Sequence, residues 1–256
     1  MKYEYGIVLS GGGARGIAHL GILKALEEFG IQPSIISGTS AGAIVGAFYA
    51  KGLGVAKIVS IIKNGHFFNF SNLNIVKQGL FSMKGFEDIY KTYFKNNSFE
   101  DLNIPLIIAA TNILKGEINY FSDGELSSAL LASSCIPVLF SPLYYRGNYY
   151  VDGGVLNNFP IEPLLNNCNK IIGVNVNSIN REVQEIDMKN VLDRSFHLAL
   201  DSANNHKFNQ CDLYIEPPKM TDFGILDLDK IDLIYDYGYQ YGLSLESKIK
   251  KLTNKK

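Results

Sequence analysis

Neither sign of charge dominates this chain of 256 residues: 24 Lys and Arg stand against 25 Asp and Glu, for a net charge of −1. No broad basic surface is implied, so nucleic acid is not an expected partner. Cysteine is scarce as well. Cys135, Cys168 and Cys211 are widely spaced and odd in number, which suits a reducing compartment and gives no metal-ligand spacing. No apolar run reaches the length of a membrane span, and Met1-Lys2-Tyr3-Glu4-Tyr5 enters a strand-like stretch without the apolar core of a leader. The expected location is the cytoplasm, with at most a peripheral contact to a membrane. Repeats, low-complexity tracts and linkers are also missing, so residues 1–256 read as one domain, long enough to bury a large core.

What is present is an alternation of strand-like and helix-like stretches. Strands are expected at Tyr5 to Leu9, Ser34 to Ser37, Leu106 to Thr111, Tyr149 to Val151, Lys170 to Asn175 and Leu213 to Glu216. Helices are expected at Ile17 to Glu28, Ala41 to Lys51, Gly54 to Lys63, Phe86 to Phe94, Ser127 to Ser133, Met188 to Ala203 and Lys230 to Ile249. Such an order predicts a three-layer α/β/α sandwich with a mostly parallel central sheet, whose ligands sit at the carboxyl ends of the strands.

Three segments carry chemistry, and all three fall at such ends. Gly38-Thr39-Ser40-Ala41-Gly42 follows the apolar run Ile35-Ile36 and has the form of a nucleophile elbow, a strained turn that presents a serine hydroxyl between two glycines. Upstream, Ile7-Val8-Leu9-Ser10 runs into Gly11-Gly12-Gly13-Ala14-Arg15-Gly16 and then a helix, so bare amides sit at a helix N-terminus where they can face a developing oxyanion. Downstream, Asp152-Gly153-Gly154 closes a strand and makes Asp152 a candidate base. Gly11, Gly13 and Gly16 also satisfy the dinucleotide fingerprint, but the acidic residue due about twenty positions on is absent from Pro33 to Ser40. A triad of Ser40, Asp152 and His197 or His206 has the chain order of the α/β-hydrolases, yet the elbow comes too early for that fold, after a single strand and helix. His197 and His206 read as surface residues and His19 as a packing or capping residue; His66 has no assignment.

The set resembles the patatin-like phospholipases over about residues 5 to 177. Gly11 to Gly16 resembles that family's oxyanion loop, Gly38 to Gly42 its elbow, Asp152-Gly153-Gly154 its aspartate block, and Ala132 to Pro142 its Ala-Ser segment with spaced prolines. The resemblance implies a serine lipid acyl hydrolase with a Ser40–Asp152 dyad, an oxyanion hole from Gly11, Gly12 and Gly13, and no catalytic histidine, metal or cofactor. Arg15, Gly16, Gly38, Gly42, Gly153 and Gly154 would support the motifs, with Arg15 as a loop anchor in preference to a phosphate contact. The implied substrate is a phospholipid or lysophospholipid; an acyltransferase using the same acyl-enzyme, or a fatty-acid-binding protein, are the alternatives. Between residues 61 and 94 the aromatics Phe67, Phe68, Phe70, Phe81, Phe86, Tyr90 and Phe94 suggest either a cap that opens on lipid or a helical hairpin whose rings form core. The basic run from Lys248 to Lys256 would be a solvated tail or a contact to anionic headgroups.

Overall fold

Ile7, Val8 and Leu9 are wholly buried, as they must be in a strand covered on both faces, and they belong to β1 (Tyr3–Leu9) in the interior of a mixed sheet. The computed structural model describes residues 2–65, 83–179, 198 and 206–253. Parallel to β1 run β2 (Ile35–Thr39) on one side and β7 (Cys168–Val174) on the other, with β8 (Leu213–Ile215) beyond β7. Beyond β2 lies β3 (Leu106–Asn112), also parallel. Three antiparallel strands complete the sheet: β4 (Glu117–Phe121) pairs with β3, β6 (Asn148–Asp152) pairs with β3, and β5 (Leu143–Tyr145) pairs with β6.

One face of this sheet is covered by α1 (Ala18–Glu28), α2 (Ala41–Ala50), α3 (Val55–Asn64), α4 (Lys84–Tyr93), α5 (Leu126–Ser134) and α6 (Ile231–Ser244), whose apolar residues share one core with Ile7, Leu9, Ile36 and Ile172. On the other face, Val8, Ile35 and Ile171 pack with Phe159, Ile161 and Leu164, joined by Phe208 and Tyr214. Successive strand residues point to opposite faces, which is why Ile7 and Val8 fall in different clusters. The α/β sandwich with a mostly parallel central sheet is thus the fold.

Several elements differ from expectation. β4 and β5 carried no sequence signal, because both are short antiparallel strands with partly exposed polar and aromatic residues. The helix expected from Ile17 begins as a 3₁₀ turn, Gly13–Ile17, before α1. The helix expected from Lys230 to Ile249 is two, because the chain turns at Leu245 between α6 and α7 (Glu246–Thr253). The segment Met188 to Ala203 lies outside the described residues save for Leu198, which is helical, and so do His66, Phe67, Phe68, Phe70, Phe81 and His197. Of the aromatic stretch, Phe86, Tyr90 and Phe94 are buried, the last stacked on Phe48 with ring centroids 5.1 Å apart, so these rings form core.

Candidate active site

Register alone brings the elbow to the aspartate. β4 occupies one edge of β3 from Ile108 to Asn112, so β2 and β6, whose abutting stretches of β3 each overlap that one, must share the other edge. β2 runs up that edge and ends with Thr39 opposite Ala109; β6 runs down it and ends with Asp152 opposite Ala110. The two strands meet head-on, about one residue rise of 3.3 Å apart. Ser40 leaves the end of one and Asp152 terminates the other.

Ser40 sits at φ +52°, ψ −122° as the cap of α2, a backbone conformation that costs a residue with a side chain of order 1–3 kcal/mol. The turn holds because its surroundings over-determine it. The Ser40 amide donates to Ser133 Oγ at 2.8 Å, Ser133 Oγ donates to the Ala109 carbonyl at 2.6 Å, and Thr39 Oγ1 donates to the Asn157 carbonyl at 2.9 Å. A Cβ on Gly42 would run into the Leu9 carbonyl, so only glycine lets α2 start this close to β1. Gly16, Gly38 and Gly153 are similar contact points, against Ala41, the first turn of α2 and Ala109 respectively.

Asp152 is buried, lies beside the Ser40 hydroxyl, and accepts a hydrogen bond at 2.8 Å on Oδ1 from the Gly154 amide. Burial pushes its carboxyl up to about 6, and the Ser40 hydroxyl and the Gly154 amide moderate the rise. Among the described residues no imidazole lies between Ser40 and Asp152. His19 is wholly buried and donates from Nε2 to the Ser10 carbonyl at 2.8 Å, and burial lowers its pKa to about 4, so it is neutral at physiological pH. His206 is exposed.

The glycine loop is pinned from three sides. Asn177 Nδ2 donates to the Gly11 carbonyl at 2.6 Å, and the Val176 amide donates to Ser10 Oγ at 3.1 Å. The Gly11 amide is itself committed to the Asn158 carbonyl at 3.2 Å. On the far side the Ala14 amide donates to the Ile225 carbonyl at 2.8 Å and Arg15 Nε donates to the Phe223 carbonyl at 2.6 Å. Arg15 is 7% exposed. Its guanidinium therefore anchors the loop. Gly13 has φ +56° and lies against Ile225, which leaves no room for a side chain. The backbone bonds of the described residues leave the Gly12 and Gly13 amides unused. Deeper support comes from Lys207, whose Nζ donates to Asn157 Oδ1 at 2.7 Å and to Glu162 Oε1 at 2.6 Å.

Between loop, elbow and α5 opens a pocket, continuous with solvent, lined by Gly13, Ser40, Ser134 and apolar side chains that include Ile17, Ile44, Ile62, Phe86 and Ile136. Among the described residues no group of three or more His, Cys, Asp or Glu is placed to hold a metal ion. The polar residues that lock the site, Ser10, Ser133, Asn158, Asn177 and Lys207, were not legible as such. Asn175 and Asn177, polar residues closing an apolar strand at the ligand end of the sheet, were the available signal.

Fold and site together define an α/β protein with a strained serine beside a buried aspartate. The patatin-like phospholipase family model matches residues 7–165, and the chain belongs to that family. Lysophospholipase nte1 of Aspergillus fumigatus is 30% identical over 280 aligned positions, which cover 96% of this chain and 18% of that protein. Lysophospholipase NTE1 of Cryptococcus neoformans is 35% identical over 184 positions, covering 69% and 11%. The chain thus spans under a fifth of the length of these relatives. Among solved structures, VipD from Legionella pneumophila superposes with a TM-score of 0.56 at 17% identity, over 96% of this chain and 67% of that one. The type III effector protein ExoU does so with 0.52 at 14% identity, over 98% and 54%. At these identities the likeness is one of fold.

Proposed function

We propose that the chain hydrolyses carboxylic esters of lysophospholipids, with Ser40 as nucleophile, Asp152 as base and the amides of Gly12 and Gly13 as oxyanion donors. The observation that carries this reading is a strained serine, Ser40, that lines an apolar pocket and lies beside the buried carboxyl of Asp152. Asp152 takes the Ser40 proton as the hydroxyl attacks the ester carbonyl, and the tetrahedral oxyanion is held by the loop amides that no backbone acceptor uses. Gly11, whose amide is occupied by Asn158, shapes the loop without donating. The alcohol leaves with the proton from Asp152, and the same carboxylate then activates the water that frees the acyl group. The apolar lining suits an acyl chain, and the printed activity of the relatives supports a lysophospholipid. Such a lipid reaches the pocket from an aggregate or a bilayer, so a transient surface contact belongs to the reading.

The test is turnover of p-nitrophenyl esters and lysophospholipids by the wild type, Ser40→Ala and Asp152→Asn, with fluorophosphonate labelling of the same proteins. Wild-type turnover, loss in both variants and no label on Ser40→Ala are expected. Stoichiometric fatty-acid binding without turnover would make the chain a carrier instead, and acyl transfer to an added alcohol with little free fatty acid would make it a transferase.

A further inference from the structure

Two polar side chains line the pocket among the described residues, Ser40 and Ser134. Ser40 has its partner in Asp152. Ser134 has none: the residue is 5% exposed, and its Oγ makes no hydrogen bond. Its neighbour Ser133 shows the contrast, since that hydroxyl is engaged on both sides by Ser40 and Ala109. A buried hydroxyl without a partner is unfavourable, and buried polar groups in native proteins are rarely left so. The Oγ itself is closed off here, so a turn about χ1 is needed to bring it to the lining, where the missing partner is supplied by what the pocket binds.

Resting on the proposed ester hydrolysis, we propose that Ser134 Oγ is a subsite for a free hydroxyl of the lipid, carried within a few bonds of the scissile ester. A serine hydroxyl both donates and accepts, so it pairs with another hydroxyl in either sense. A phosphate or other charged group is the wrong ligand, because none of the described lining residues is charged. The hydroxyl has two chemical sources. It is either the free glycerol hydroxyl next to the ester of a monoacyl lipid, or a hydroxyl on the acyl chain itself.

The experiment crosses the protein hydroxyl with the substrate hydroxyl. The wild type and Ser134→Ala are assayed for kcat/KM on 1-acyl lysophosphatidylcholine against its 2-deoxy analogue, and on a 3-hydroxyacyl p-nitrophenyl ester against the unsubstituted ester. In one pair the wild type should favour the hydroxylated member by about tenfold, and Ser134→Ala should bring that ratio to about one. The pair that responds identifies the source. Because Ser134 Oγ bonds nothing within the chain, the melting temperature of Ser134→Ala should not fall. A wild-type ratio below about threefold in both pairs, or a preference that survives in Ser134→Ala, overturns the proposal. If no ester is turned over, the hydrolase reading fails, and calorimetry decides the subsite separately. For that arm Ser40→Ala and its Ser134→Ala double variant bind a 1-O-alkyl lysolipid and its 2-deoxy form, and a 1-O-(3-hydroxyalkyl) lysolipid and its unhydroxylated form. The same ratios apply.

Discussion

Burial holds the Asp152 carboxyl at about 6, well above an ordinary aspartate, and this one displacement has two consequences of opposite sign. As the proposed base it must be ionised, so kcat/KM on a soluble ester should fall about tenfold per pH unit below 6 and level off above it; a flat profile from pH 5 to 8 would remove Asp152 from the reaction. For stability, a carboxyl whose folded pKa is raised favours the folded state while protonated. That contribution is complete below the unfolded value near 4 and is lost as pH rises through about 6, on the order of 3 kcal/mol. Asp152→Asn should therefore lose activity by several orders of magnitude and gain stability at pH 7 relative to pH 4, read from urea midpoints at both pH values. Ser40 offers a parallel case. Its φ of +52° suits glycine, so Ser40→Gly should melt above Ser40→Ala while both are inactive; equal or reversed midpoints would remove strain from the account of the elbow. The neutral, buried His19 predicts that His19→Gln keeps measurable turnover, as a triad histidine would not. At this scale the serine, glycine-loop and aspartate segments that meet at the site were legible because glycine marks them. Asn158 and Asn177 were not, since each is an ordinary polar residue whose partner lies far off in sequence, and Ser133 stood inside the Ala132 to Pro142 segment without a role.

Between α1 and α6 the helices touch backbone to backbone. A Cβ on Gly238 would meet the Ala18 carbonyl near 2.5 Å, and α1 carries His19, which holds the Ser10 carbonyl at the root of the glycine loop. Gly238→Ala should then destabilise the protein by about 1–3 kcal/mol in urea unfolding and lower kcat more than it raises KM. An unchanged midpoint would mean that the helices part freely. Apolar, buried stretches announced β1, β2, β3 and β7, whereas β4 and β5 read as loop because their residues are half exposed and only pairing makes them strands. The break at Leu245 has no proline to mark it, and Gly242, three residues before, lies inside α6.

Across the whole molecule the two ends of the sheet differ. Ile113 and Leu114 beyond β3, Val155 and Leu156 after the aspartate block, and Leu226 beside the glycine loop are exposed at the carboxyl end. The basic helix α7 lies at the other end, where Lys248 and Lys251 line a groove with Lys170 and Asp212 at the starts of β7 and β8. The double variant Lys248→Glu/Lys251→Glu should accordingly hydrolyse lysophospholipid in anionic micelles within about twofold of the wild type; a tenfold loss would bring the basic helix to the lipid. The head-on meeting of β2 and β6 also bears on how the protein is made. A ribosome completes Ser40 early, Asp152 much later, and the Phe223 and Ile225 carbonyls that brace the loop later still. At about 5–20 residues per second that interval lasts on the order of ten seconds or more. Until Ile225 is made the nascent chain lacks first Asp152 and then the carbonyls that brace the glycine loop, so the three segments of the site come together only after that residue has been added.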